Sequence, residues 1–162
     1  RIVKEGHTLG MHSYSHQYKE IYQSMDAFQA DYERISNCLT AATGIKPLYY
    51  RFPGGSTEVT EKLQMTDLDA YFNAQGASYF DWNVIAANNT TDDVSVNKMV
   101  DSVMNGVALY DTSIVLMYDS VDRKMTAKSL DSILDYLLKN GYEILPIDEN
   151  TIPIHHSLVI DK

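Results

Sequence analysis

The sequence predicts an α/β fold in which a parallel sheet is joined by crossover helices, either as an open sheet or as part of a barrel. Strand-like and helix-like segments alternate along the chain at the spacing of strand–helix–strand units. One run, "TSIVLMYDS" at residues 112–120, is continuously apolar, as a strand buried on both faces of a sheet is. The 162 residues, 44% hydrophobic and 22% charged, have the size and apolar content of one globular domain with a core. Neither a repeat nor a linker interrupts them, so residues 1–162 read as a single domain.

The elements follow in order. Residues 2–5 resemble the end of a helix stopped by Gly6, and "HTLGMHS" reads as a strand whose end delivers His12. From Ser24 to Thr43 the repeat of Phe28, Tyr32, Ile35 and Leu39 predicts a long helix, with Gly44 as its left-handed cap. "PLYYRFP" is an aromatic strand running into the turn "PGGS". "TEVTEKLQMTDLDAYFNAQG" predicts a helix ending before Gly76, and "ASYFDWNV" a strand.

After the polar loop "IAANNTTDD", helical spacing resumes in "VNKMVDSVMNGV" through Met99, Val100, Val103 and Met104. Past the apolar strand, "TAKSLDSILDYLLKNG" places Leu130, Ile133, Leu134, Leu137 and Leu138 on one helix side, stopped by Asn140 and Gly141. "YEILPI" reads as a closing strand. The chain opens on "RIVKEGHTLG" as if entered in mid-helix, which reads as a piece of a longer protein.

Composition excludes some functions. A formal net charge of -9 leaves no basic stripe for phosphates, so neither nucleic acid nor an anionic membrane surface is an expected partner. No apolar run approaches the roughly 20 residues of a membrane span. The single cysteine, Cys38, has no internal disulfide partner, and its place beside Ile35 and Leu39 predicts a buried thiol.

Each predicted strand end carries chemistry, which is where ligand sites gather in such folds. His12 and His16 follow the first strand, Arg51 and Pro53 the second, Asp81 and Trp82 the third, Tyr118 and Asp119 the fourth. Two imidazoles one helical turn apart can reach one metal ion, though such a pair also occurs as surface decoration. Arg51 can equally stack on Tyr49 or Tyr50, and a tryptophan such as Trp82 can be core. His7, His155 and His156 read as exposed polar positions.

Taken together and in order, these residues resemble the polysaccharide deacetylases, carbohydrate esterase family four. "HSYSH" is similar to the family's H-[ST]-x-x-H zinc motif, "RFPGGS" to its R-x-P motif, "DWN" to its D-x-W motif, and "IVLMYDS" to the strand of its L-x-H motif. The similarity runs through nearly the whole chain, including the terminal "DENTIPIHH". It implies an incomplete distorted (β/α) barrel lacking its opening strands. It further implies a divalent metal, usually zinc, held by His12, His16 and an aspartate, with positions open for water and an acetamido oxygen. Arg51 would orient the carboxylate that acts as general base. Asp81 would tune a neighbour near the acid residue, and Pro53, Trp82 and Leu116 would line the substrate wall.

Two departures from the family pattern bear on activity. The strand end with paired aspartates that supplies base and third ligand has no counterpart here, and Asp92 and Asp93 stand in the wrong order for it. That aspartate is therefore expected upstream of Arg1. The acid histidine of L-x-H is replaced by Tyr118. Histidine titrates near ~6.5 and tyrosine near ~10, so a tyrosine is a far weaker proton donor at neutral pH. The expectations are thus a metal-dependent hydrolase releasing acetyl groups from N-acetylated glycan, outside the cell or at its surface, or a catalytically inactive carbohydrate-binding domain of the same fold. Sheet edges left unpaired would favour self-association.

Overall fold

A computed structural model of the chain describes residues 1–59, 63–87, 94–120 and 124–156. The residues form two compact units, one of residues 1–81 with 146–162 and the other of residues 82–145.

The first unit holds a three-stranded parallel sheet in the order β1 (Gly10–Met11), β2 (Tyr49–Tyr50), β3 (Ser78–Tyr79). Gly10 pairs with Tyr49 and Met11 with Tyr50, and these pair in turn with Ser78 and Tyr79. A short helix α1 (Tyr18–Ile21) precedes α2 (Met25–Thr43). Helix α2 starts where the Ser24 side chain accepts the Ala27 N–H, and it ends at Gly44 with φ 75°. Both caps follow from residue type, a short hydroxyl before the first turn and a glycine after the last.

Phe28, Tyr32 and Ser36 are the buried face of α2. Phe28 and Tyr32 enter an aromatic core with Tyr50, Phe52, Phe72 and Tyr79, in which ring centroids stand 5.0–6.3 Å apart, mostly edge-on. Cys38 is exposed, contrary to expectation. It stands one position off the stripe, about 100° round the helix from Leu39, which is enough to turn it to solvent.

The helix predicted for residues 57–75 is shorter than its pattern. A 3-10 turn at Ser56–Glu58 opens the segment, residues 60–62 lie outside the described residues, and α3 runs only over Met65–Gln75 before Gly76 at φ 64°. Its buried residues are Leu68 and Phe72.

In the second unit β4 (Val84–Ile85) pairs in parallel with β5 (Val115–Leu116). The segment read as one strand, "ASYFDWNV", is therefore split between β3 and β4. Helix α4 (Val96–Val107) has Ser95 as its N-cap and buries Met99, Val103 and Val107. At Gly106 any side-chain carbon would meet Val84, at 2.6 Å, so the glycine lets α4 lie close on β4. Helix α5 (Lys124–Lys139) buries Ser129 and Ile133, with Leu137 packed beside them. Leu130 and Leu138, expected on that buried side, are 41% and 62% exposed. At about 100° per residue Leu138 lies about 140° round the helix from Ile133, on the outer side.

"YEILPI" is not a strand: among the described residues it has no ladder partner, and Ile144 and Leu145 are exposed. Much of the predicted polar loop, residues 88–93 with Asp92 and Asp93, lies outside the described residues. No helix among the described residues is long and apolar enough to cross a membrane.

Candidate metal centre

The turn after β1 carries the histidines. Met11 is buried in the sheet, and the next residue, His12, points its Nδ1 at the Arg51 carbonyl oxygen, 2.7 Å away. Arg51 in turn donates its N–H to the Met11 carbonyl at 2.9 Å, so β2 places that acceptor through the same register that forms the sheet. An Nδ1–H donated to the carbonyl leaves Nε2 with its lone pair, the tautomer a metal ligand needs.

That Nε2 lies 3.3 Å from Nε2 of His16. Zinc–nitrogen bonds are about 2.0–2.1 Å, and two nitrogens so spaced would subtend about 104–111° at an ion bound to both. Tetrahedral coordination asks for about 109°, so the pair fits a zinc-type ion. Burial above all pushes the His12 pKa down to about 4; the hydrogen bond to Arg51 opposes this, and the charges of Arg51 and His16 add to it. The ring is neutral at physiological pH, as coordination requires. Among the described residues no group of three or more His, Cys, Asp or Glu side chains could hold a metal. This chain's described donors are the two imidazoles.

The turn between them is strained. Ser13 and His16 have φ of 67° and 55°, values that cost a side-chain-bearing residue about 1–2 kcal/mol each. Ser13 Oγ accepts the His16 N–H at 2.9 Å. From α2, the Asp31 carboxylate accepts the Tyr14 and Ser15 N–H groups, both at 2.9 Å. One turn further, the Arg34 guanidinium lies 3.8 Å above the centre of the Tyr14 ring. Burial pushes the Asp31 pKa up, but the donated hydrogen bonds from Tyr14, Ser13 and Ser15 outweigh it and hold the carboxyl below its usual value. Asp31 was not legible as a site residue. It stands far from "HSYSH" in sequence, and only the fold brings it there.

The other sequence candidates are distributed as follows. Pro53 is buried, and its carbonyl accepts the Tyr22 hydroxyl at 2.8 Å, which ties the "RFPGGS" turn to the end of α1. Gly54, φ 81°, leaves no room for a side chain against Glu58 and Tyr18. Arg51 is half-buried. Asp81 is 1% exposed: Oδ1 accepts the Ser56 N–H at 2.9 Å, and Oδ2 accepts the Ser56 hydroxyl and the His156 N–H at 2.7 Å. Its own N–H donates to Ile154 at 2.7 Å. Asp81 therefore joins the turn after β2 to the terminal "IPIHH".

His155 is not an exposed polar end. Its ring stacks on Tyr79 at 3.9 Å and 12°, with Nε2 3.1 Å from the Tyr79 carbonyl. His156 and His7 are exposed. In the second unit, Asn83 of "DWN" takes both sides of one strand: Nδ2 donates to Thr112 at 2.9 Å and Oδ1 accepts from Ile114 at 2.8 Å, aligning the entry to β5. Leu116 is buried in β5, and Trp82 and Tyr118 are half-buried.

Comparison with known proteins gives concordant matches. The polysaccharide deacetylase family model matches residues 1–72. The chain is 32% identical to the catalytic domain of a peptidoglycan N-acetylglucosamine deacetylase from Eubacterium rectale ATCC 33656, with TM-score 0.86, covering 95% of this chain and 71% of that one. A CE4 esterase of Streptococcus mutans is similar at 25% identity and TM-score 0.80, over 91% of this chain and 66% of its own. YheN of Bacillus subtilis (strain 168), provisionally named a polysaccharide deacetylase, is 24% identical over 159 residues. The chain spans 54% of that relative's length, about half. The fold class is that of these catalytic domains, α/β of the incomplete barrel type.

Proposed function

Because the chain belongs to the polysaccharide deacetylase family, we propose that it supplies two ligands, His12 and His16, to a metal-dependent centre that removes acetyl groups from N-acetylated glycan. The glycan class is that of cell-wall polymers, peptidoglycan or a chitin-like chain, and the place of action is outside the cell or at its surface. The observation that carries this reading is the 3.3 Å approach of two imidazole nitrogens, one with its tautomer set by the Arg51 carbonyl.

A divalent ion of the zinc type supplies Lewis-acid activation of water and of the acetyl carbonyl when bound. The chain's own contributions are those of its side chains. His12 presents a neutral Nε2, with Nε2 of His16 beside it, from a turn that the sheet and α2 hold in place. Arg51 serves twice, through a carbonyl that orients His12 and a guanidinium close enough to disfavour its protonation. Pro53, Trp82 and Leu116 are assigned to the substrate wall by motif position. By motif position Tyr118 is assigned to the proton donor for the departing sugar amine, and a tyrosine hydroxyl can donate a hydrogen bond to a developing oxyanion.

Tyr118 also supports a second reading, in which the domain binds glycan without hydrolysing it. Acetate release from N-acetylated glycan, measured on the intact protein with and without added zinc or cobalt, separates the two. Metal-stimulated release is expected, and it should be lost in His12→Ala together with bound metal. Absence of acetate from every acetylated glycan, alongside retained glycan binding, would leave the second reading standing.

A further inference from the structure

The histidine turn holds an unfavourable backbone conformation, and something must keep it there. Two residues of the five in "HSYSH" sit at positive φ without being glycine. Within the turn the His16 N–H donates to Ser13 Oγ and the two imidazole Nε2 atoms approach to 3.3 Å, contacts that fix these residues relative to one another but do not attach the turn to the rest of the unit. His12 is tied to the end of β2 through the Arg51 carbonyl, and between the two histidines attachment comes from one flank of α2. Phe28 and Tyr32 lock that helix into the aromatic core with 0% and 2% exposure, so a residue between them projects from a rigid place. Asp31 receives two successive N–H groups, those of Tyr14 and Ser15, on its two carboxylate oxygens. Three residues on, and on the same flank, Arg34 covers the Tyr14 ring.

We propose that Asp31 is a positioning residue for the His12–His16 pair: its carboxylate, bridging the Tyr14 and Ser15 N–H groups, holds the strained turn in the shape that brings the two imidazoles onto one metal ion. The inference rests on the metal-site reading above. Backbone N–H groups at consecutive residues converge on a single acceptor group only when the chain between them curves. A carboxylate there rewards the curved form and no other. Such outer partners of metal ligands shift metal affinity by about 10–100-fold when removed. Arg34 stabilises the same turn through its Tyr14 face and acts beside Asp31 without touching either histidine.

The test is zinc titration of the intact protein and of Asp31→Ala and Asp31→Asn, with melting temperature and the amide exchange of Tyr14 and Ser15 measured on the same samples. Asp31→Ala is expected to weaken zinc binding about 10–100-fold and to deprotect those two amides, with a modestly lower melting temperature, while the amides of the α2 interior stay protected. Asp31→Asn keeps one carbonyl acceptor and should fall between, and it carries the comparison if Asp31→Ala does not fold. Unaltered zinc affinity in the variants would overturn the proposal. Should the unsubstituted protein take up no zinc, the metal-centre reading fails by itself, and the role of Asp31 is then decided by amide exchange. Protection of Tyr14 and Ser15 that survives Asp31→Ala would refute it, and lost protection would uphold it.

Discussion

His12 can offer one nitrogen to a neighbour because the other is engaged by a backbone carbonyl 2.7 Å away, an arrangement common among metal-binding histidines. The pair itself was legible from "HSYSH", since a spacing of four is a local feature. Its tautomer was not, because the Arg51 carbonyl comes from a segment 39 residues on. Tyr118 was equally legible as a departure from the family motif. Replacing it by histidine is expected to raise acetate release, by up to the ~10²–10⁴-fold that general acid catalysis commonly contributes, as read by turnover at neutral pH. A flat or lower rate would give Tyr118 a role of its own. The core holds a different kind of anomaly: among the described residues the buried hydroxyls of Tyr32, Tyr50 and Tyr71 have no hydrogen-bond partner. Burial accordingly pushes the Tyr50 pKa far up. Tyr50→Phe removes a desolvated hydroxyl and keeps the ring packing, so unfolding in urea should show unchanged or raised stability. A loss above about 1 kcal/mol would mean that the hydroxyl has a partner.

Helices were read better than strands. Helix α2 shows its 3.6-residue repeat over 19 residues with a serine before it and a glycine behind, so pattern and caps agree. Ser24→Ala should cost about 1 kcal/mol by removing the acceptor of the Ala27 N–H, measurable as a lower urea midpoint with an unchanged slope. Among the described residues every strand is two residues long, because a hydrogen-bonded ladder extends only as far as its partner runs alongside, and partner length is not a property of either segment alone. "YEILPI" illustrates this: its residues suit a strand, yet among the described residues none pairs with it. The overlong helix expected from residue 57 fails because of a contact distant in sequence. Ser56 is drawn into a tight turn by the buried Asp81, which takes both its N–H and its hydroxyl.

Charge and pH act on the chain as a whole. The net charge of -9 keeps the surface acidic, in keeping with a neutral glycan more than a polyanion as partner. Two groups with depressed pKa values set the acid limit. The His12 ring holds its proton only below about pH 4 when folded, against 6.5 when free, so between these values the unfolded chain binds a proton that the folded one refuses. Stability therefore falls as pH drops from about 6.5 to 4. Asp31 is lowered from 3.8, so its contribution is intact above that value and is lost as pH falls further. Urea midpoints followed from neutral pH downward should show the first decline, and His12→Ala should remove it. A midpoint independent of pH over this window would contradict the burial assigned to His12.

The sequence by itself determined the class of fold, the order of the helices and their caps, the histidine pair and the substitution at the acid position. The first three are properties of residue type and near-neighbour spacing, which the chain carries before it folds, and the last is what the resemblance of motifs implies. Only the tertiary structure decided that Arg51 orients His12 with its backbone and that Asp81 ties "RFPGGS" to the terminal histidines. It alone brought Asp31 and Arg34 of α2 to the strained turn. Those contacts join groups from 16 to 75 residues apart, where no periodicity can announce them and where packing of an aromatic core sets which flank of a helix meets which loop.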